Sequence, residues 1–223
     1  VRNTEQAMFD VFDNNFYATD FHIDLMAKSF PEIEQYTGLN PTKGSKVCRV
    51  GWPMEYLEGA LSAYKNMDKK DIILFPHRVA PEKQPDIFYD LKEALPQYEF
   101  IVCQEKELSK NDYHNLLGEA KMVFSANLQE TLGISWYEGC LLDTMPLIPD
   151  RLSYSEMATD DFKYPSEWTE NFAQYKKHKK QLVEKIDFMM QNYKKHIPQI
   201  WKQKQQLQEK YFSGKQLYGD ING

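Results

Sequence analysis

From residue 15 to residue 149, short apolar runs alternate with amphipathic stretches, and this rhythm constrains the fold more than any other feature of the chain. NFYAT (15–19), KVCRVGW (46–52), DIILFPHR (71–78), EFIVCQ (99–104), KMVFSA (121–126) and MPLIP (145–149) read as strands. Helical patterns fill the gaps: Asp20, placed to act as a cap, through Ser29, then 54–64, 84–94, 111–120, and a last one from about Leu132. Strands separated by helices predict a parallel sheet covered on both faces. The expected class is α/β, a Rossmann-like sheet followed by a C-terminal helical tail. In that tail Leu182, Ile186, Met189, Tyr193 and Ile197 keep one helical face, and Pro198 is expected to kink or break it.

The chain has 223 residues, 42% of them hydrophobic, enough for an α/β domain with extensions. Its net charge of −6 argues against nucleic-acid binding by the whole surface. The charge is uneven, however. Residues 171–212 hold ten lysines and three acids, a net of +7; with the whole chain at −6, the remainder carries −13. Such a run is a solvated helix face, a contact for acidic membrane headgroups, or a contact for nucleic acid. Cys48, Cys103 and Cys140 are far apart in apolar settings, with no C-x-x-C or Cys/His cluster. They predict reduced thiols in a cytoplasmic protein, peripheral to a membrane if the lysines dock there, and no metal site. The chain begins at Val1 within a helical pattern, TEQAMFDVFDNN, which reads as a start in the middle of something longer.

Open parallel sheets bind ligands beyond the carboxyl ends of their strands. That rule selects FPHRVAPEKQPD, ANLQETLGIS and DRLSYSEM. Arg78 and Lys83, on the first loop, could clamp a diphosphate, the one as a planar fork and the other as a point charge. The alternative is surface ion pairing with Glu82 or Asp86. Thr131, Leu132 and Gly133 open a helix whose free N–H groups suit the same phosphates. Glu130, just before them, is either an acceptor for sugar hydroxyls or a simple helix-end charge. Glu138 lies in an apolar run, where a carboxylate needs partners. At about 100° per residue it would fall near the side of Glu130, deeper along the helix.

Two stretches then carry a resemblance. E-x7-E from Glu130 to Glu138, followed by GCLLDTMPLI, resembles the donor-site motif of the retaining GT-B glycosyltransferases, the glycogen-synthase-like and sucrose-synthase-like group. RVAPEK is similar to that family's R-L-x-x-E-K loop. The likeness implies that residues 46–165 form a nucleotide-sugar-binding domain. Residues 1–45 would end an acceptor domain, and 166–223 would form crossing helices. It implies that Arg78 and Lys83 neutralise the diphosphate, that Glu130 holds donor-sugar hydroxyls and Glu138 the ribose hydroxyls, and that the Leu132 and Gly133 amides touch phosphate. The chemistry would be retaining transfer from a nucleotide diphosphate sugar to an unknown acceptor. It would need no cofactor or metal, and no D-x-D triplet occurs. A nucleotide-sugar epimerase and a nucleotide-sugar-binding module without catalysis are the rival readings, and the apparent truncation predicts poor transfer by this chain alone. His77, Gln84 and Asp143 stand where the family usually has glycine. His77 neighbours the phosphate loop and is a candidate for donor binding or as a base. His22 is a candidate at an interdomain cleft or as a cap, and Tyr154 and Ser155 as neighbours of the nucleotide base.

Overall fold

The computed structural model describes residues 11–29 and 46–222. Most of the helical pattern expected over 4–15 lies outside them; within them, Asn14 and Asn15 already belong to a strand. The chain divides into two compact units, residues 1–55 with 208–223, and residues 56–207.

In the first unit, β1 (Asn14–Tyr17) pairs in parallel with β2 (Lys46–Arg49), from Asn14 opposite Lys46 to Tyr17 opposite Arg49. The run KVCRVGW therefore pairs with β1 and adds no strand to the main sheet. Between them, α1 (Asp20–Ser29) is capped by Thr19, whose Oγ1 accepts from the His22 amide at 3.3 Å. Asp20 instead occupies the first helical turn, where the helix dipole favours an acid. Segments 49–55 and 210–214 run side by side, with Trp52 N donating to Tyr211 O and Met54 N to Phe212 O. The last helix, α9, is Lys215–Asn222.

The second unit starts with α2 (Tyr56–Ala60) and holds a five-stranded sheet. Its strands are β3 (Lys70–Phe75), β4 (Glu99–Val102), β5 (Ala120–Phe124), β6 (Met145–Pro149) and β7 (Lys163–Tyr164). Their order is β4-β3-β5-β6-β7, and every pairing is parallel. The helices are α3 (Pro85–Ala94), α4 (Lys110–Glu119), α5 (Ile134–Leu141), α6 (Tyr154–Met157), α7 (Phe172–Gln191) and α8 (Tyr193–Lys210). Successive strand residues point to opposite faces. Ile73, Phe75, Met122 and Phe124 pack with Phe88 and Leu91 of α3 and with Tyr175, Leu182 and Ile186 of α7. On the opposite face α5 comes close enough that a methyl built on Gly139 would stand 3.3 Å from Val123 Cγ2. This is the expected Rossmann-like α/β arrangement.

Local chemistry sets the helix limits. Ser109 Oγ accepts from Asp112 N at the start of α4, and the Asn171 side chain accepts from Gln174 N at the start of α7. The tail breaks at Asn192, whose amide and side chain both bond Phe188 O. Pro198 lies inside α8 and does not end it. The helix continues through it, without the backbone hydrogen bond that proline cannot give to Lys194 O.

Candidate functional site

The carboxyl ends of β3 and β5 bring Lys83, Glu130 and His77 into one cluster around Asn127, whereas Arg78 and Glu138 are held by other partners. After β3 the chain makes a 3-10 turn over Pro81–Lys83. This turn buries Lys83 and leaves Arg78 exposed. Lys83 Nζ donates to Gln129 O at 2.5 Å and to Glu130 Oε2 at 3.0 Å. Arg78 Nη2 pairs with Glu82. The two predicted cations are thus held differently: Lys83 faces inward on Glu130, and Arg78 faces solvent on the partner that the surface-pair alternative named.

Glu130 is the hub. Its Oε2 also accepts from Asn127 Nδ2 at 2.9 Å, and its Oε1 from Thr131 N at 3.0 Å. Burial alone would raise its carboxyl, but the charge and hydrogen bond of Lys83 outweigh that and hold it below the ordinary value. His77 is buried edge-on against Phe75, with ring centroids 5.0 Å apart. Burial lowers its imidazole to about 4, against the opposing pull of Glu130, so it is neutral at pH 7. Its Nδ1 is 3.4 Å from Asn127 Nδ2, and its buried Nε2 has no hydrogen-bond partner.

Helix α5 begins at Ile134, with Gly133 as its N-cap in the left-handed region at φ 69. A Cβ on Gly133 would stand 2.6 Å from Trp136 Cδ1 and 2.8 Å from Tyr154 Cε1, so both sterics and φ select glycine. Thr131 is exposed and Leu132 buried. Because Glu130 precedes the helix, the helical projection that set it on one side with Glu138 does not apply. Glu138 lies one turn inside α5, where Oε2 accepts from Tyr113 Oη at 3.2 Å and Oε1 is 3.7 Å from His114 Nε2. Burial pushes its carboxyl up, and His114 only partly offsets this.

A cavity of about 470 Å³ at the ends of β3 and β4 is lined by Pro76, His77, Arg78, Cys103, Gln104, Glu107, Leu108 and Tyr113. It therefore joins the phosphate-loop candidates to Tyr113, the partner of Glu138. A second cavity of about 700 Å³ opens at the amino-terminal edge of the sheet, beside Lys69, Lys121, Asp143 and Tyr193. Two of its lysines are already engaged: Lys69 donates to Ala120 O, Leu142 O and Thr144 Oγ1, and Lys121 pairs with Asp71. The strand-end rule favours the first cavity.

Several residues here escaped sequence reasoning. Asn127 and Arg151 are central, and Tyr113 and His114 hold Glu138. Arg151 lies in a strand-end loop, which was the available signal. Asn127, three residues before Glu130, gave none beyond its position. Tyr154 is fully buried, accepting from Asn127 Nδ2 at 3.1 Å, while Ser155 is exposed. His22 lies 2.5 Å from Thr19 Oγ1 within the cap of α1. Asp143 adopts φ 58, a left-handed conformation that explains the family's glycine at that position. In the lysine run, Lys176 and Lys179 pair with Asp90, and Lys180 with Glu184. Among the described residues no helix is long and apolar enough to cross a membrane.

No protein-family model matches the chain, and no curated protein does. Solved structures do. The pneumococcal O-GlcNAc transferase GtfA in complex with UDP and GlcNAc aligns with 99% of this chain and 46% of its own at TM-score 0.63 and 14% identity. A TarM variant from S. aureus in complex with Fondaparinux, alpha-GlcNAc-glycerol and UDP aligns with 99% of this chain and 46% of its own at TM-score 0.67 and 13% identity. Anabaena HepE in complex with UDP and glucose aligns with all of this chain and 66% of its own at TM-score 0.65 and 11% identity. The chain thus spans from about half to just under two thirds of the length of these proteins. At such identities the likeness is one of fold, and the fold is that of a GT-B glycosyltransferase C-terminal domain.

Proposed function

We propose that this chain is the donor-binding part of a retaining, metal-independent glycosyltransferase that takes its sugar from a nucleotide diphosphate sugar. One observation carries the reading: Lys83 and Glu130 come from different strand ends to within 3.0 Å of each other, at the entrance to α5. A cation and an acid side by side suit a phosphate and a sugar hydroxyl side by side. Arg78 exchanges Glu82 for the diphosphate, and Lys83 supplies the second positive charge. The Leu132 and Gly133 amides add the helix start. Glu130 accepts from the sugar, and Glu138, released from Tyr113, accepts from the ribose. Charge that builds on the departing diphosphate is stabilised by Arg78 and Lys83, the kind of preorganised electrostatics that lowers such barriers most. The neighbours solved with UDP support a nucleotide sugar as ligand, and the reduced-thiol pattern supports a cytoplasmic setting.

Calorimetric titration with UDP, GDP, ADP and their sugars tests the site. One nucleotide is expected to bind at micromolar Kd and to weaken at least about tenfold in both Arg78→Ala and Glu138→Ala, the loss of one charged hydrogen bond or more. Binding by none of the nucleotides overturns the reading.

The Arg78–Glu82 pair yields a further expectation. Glu82→Gln removes an internal competitor for the diphosphate. An exposed pair is a weak competitor, so nucleotide affinity is expected to rise about two- to fivefold. Unchanged or weaker binding in the same titration would place Arg78 away from the phosphates.

A further inference from the structure

We propose that Asn127 is a positioning residue that fixes the carboxylate of Glu130 so that one acceptor direction is left for a single ligand hydroxyl. The inference rests on the donor-site reading above and adds to it the residue that aims Glu130.

The argument is one of hydrogen-bond capacity. An ionised carboxylate has about four acceptor directions. Lys83 and Asn127 occupy two of them on Oε2, at 3.0 and 2.9 Å, and Thr131 N occupies a third on Oε1, at 3.0 Å. One remains. Asn127 suits the task because its amide nitrogen only donates and carries no charge. A carboxylate there would repel Glu130, and a hydroxyl has a single proton to give. Both amide hydrogens have a role, one toward Glu130 and the other toward Tyr154 Oη at 3.1 Å.

Asn127 is itself held on several sides. It is fully buried, its carbonyl accepts from Arg151 Nε at 2.8 Å, and its amide N–H lies 3.3 Å from Ser125 Oγ. Its Oδ1 is buried without a partner. An amide kept in place at the expense of an unpaired oxygen is held for its donor side. The titratable groups around the carboxylate are Lys83, His77 and Tyr154, and none of them can replace a neutral double donor.

Two measurements decide the matter. In the ligand-free protein, carboxyl-carbon NMR of labelled glutamates across pH follows Glu130 directly. Its titration is expected to move to higher pH in Asn127→Ala and further in Asn127→Asp, while Asn127→Ser, which keeps one donor, stays nearer the parent. Thermal unfolding of each variant confirms that it is folded. An unmoved Glu130 titration in folded Asn127→Ala overturns the proposal. The second measurement compares UDP-glucose, UDP-GlcNAc, GDP-mannose and ADP-glucose with their sugar-free diphosphates. Asn127→Ala is expected to lose about tenfold of the preference for nucleotide sugar over diphosphate, with diphosphate affinity kept. Asn127→Ala/Glu130→Gln is expected to be no worse than Glu130→Gln alone. Equal losses for sugar and diphosphate, or additive losses in the double variant, overturn it. If no nucleotide binds the parent while the NMR shift is present, the donor-site reading falls and the hold of Asn127 on Glu130 stands.

Discussion

Replacing Arg151 with methionine is expected to lower the unfolding free energy by about 3–5 kcal/mol, one of the largest effects of any single substitution in the second unit. The guanidinium donates to Asn127 O at 2.8 Å, Ala126 O at 2.9 Å, Ser166 O at 3.2 Å, and Thr169 Oγ1 and O at 2.7 and 3.1 Å. It ties the exit of β5 to the 3-10 turn that precedes α7. Methionine fills most of the volume but strands the buried Asn127 carbonyl, at a cost of about 1–3 kcal/mol, and removes the charged hydrogen bonds to Thr169 Oγ1 and Ser166 O as well. Ala126 O and Thr169 O keep Gln84 Nε2, at 2.6 Å each, which caps the loss. Urea unfolding should show a lower midpoint at unchanged slope. Lysine at 151 should recover only part of the stability, since a point charge cannot span the same acceptors. A loss below about 1 kcal/mol for methionine would mean that water replaces the guanidinium.

The second large effect is at Lys83. Lys83→Met leaves Glu130 buried without its counter-charge, and breaking such a pair costs about 3 kcal/mol or more at neutral pH. The side chains of Lys83 and Glu130 are only 11% and 18% exposed, so solvent screens the pair little. The pH dependence has a definite sign. In the parent, Glu130 titrates below its ordinary value of 4.5, so its contribution is present above that pH and is lost as pH falls through the lowered value. In the variant, burial acts unopposed by Lys83 and the carboxyl moves up. Its penalty therefore fades as the pH falls through that raised value. The stability gap between parent and variant should be widest near pH 7 and should narrow on acidification. Lys83→Met/Glu130→Gln should regain most of the loss, because no buried charge remains. A gap that stays constant from pH 7 to pH 4 would show that Lys83 acts through packing of its stem.

Much of this was legible in the chain, because hydrophobic period survives folding. The strands at 71–75, 99–102, 121–124 and 145–149 are apolar apart from a charged first residue in three of them, Asp71, Glu99 and Lys121, and are bounded by helical patterns. Glu130, Lys83 and Gly133 could be located by the strand-end rule alone. What was hidden had physical causes. β7 has two residues, Lys163 and Tyr164, too few to show any period. The run at 46–52 looks like every other strand, and nothing local tells which sheet it joins. Pro198 sits in a helix that tertiary packing sustains, through Tyr193, Ile200 and Leu207 on its buried face. The helical angle from Glu130 to Glu138 presumed a start at residue 130 or before, whereas the left-handed Gly133 delays the helix to Ile134. Arg151 and Asn127 owe their roles to partners far along the chain, which local pattern does not register.

The strand order also governs how the sheet is made. Every neighbour in the five-stranded sheet is parallel, so no pairing can zip up from a hairpin, and each requires a crossover to be in place first. Loop closure must precede the contacts that reward it, which makes this unit a slow folder whose apolar strands stay exposed for longer than in a helical bundle. β3 and β5 lie at the middle of the order and depend on α3, β4 and α4 between them in sequence. The finished edges limit the hazard that this delay creates. β4 offers four residues and β7 two, with Glu99 and Lys163 as charged outer positions, so the completed sheet presents little template for a second copy to extend.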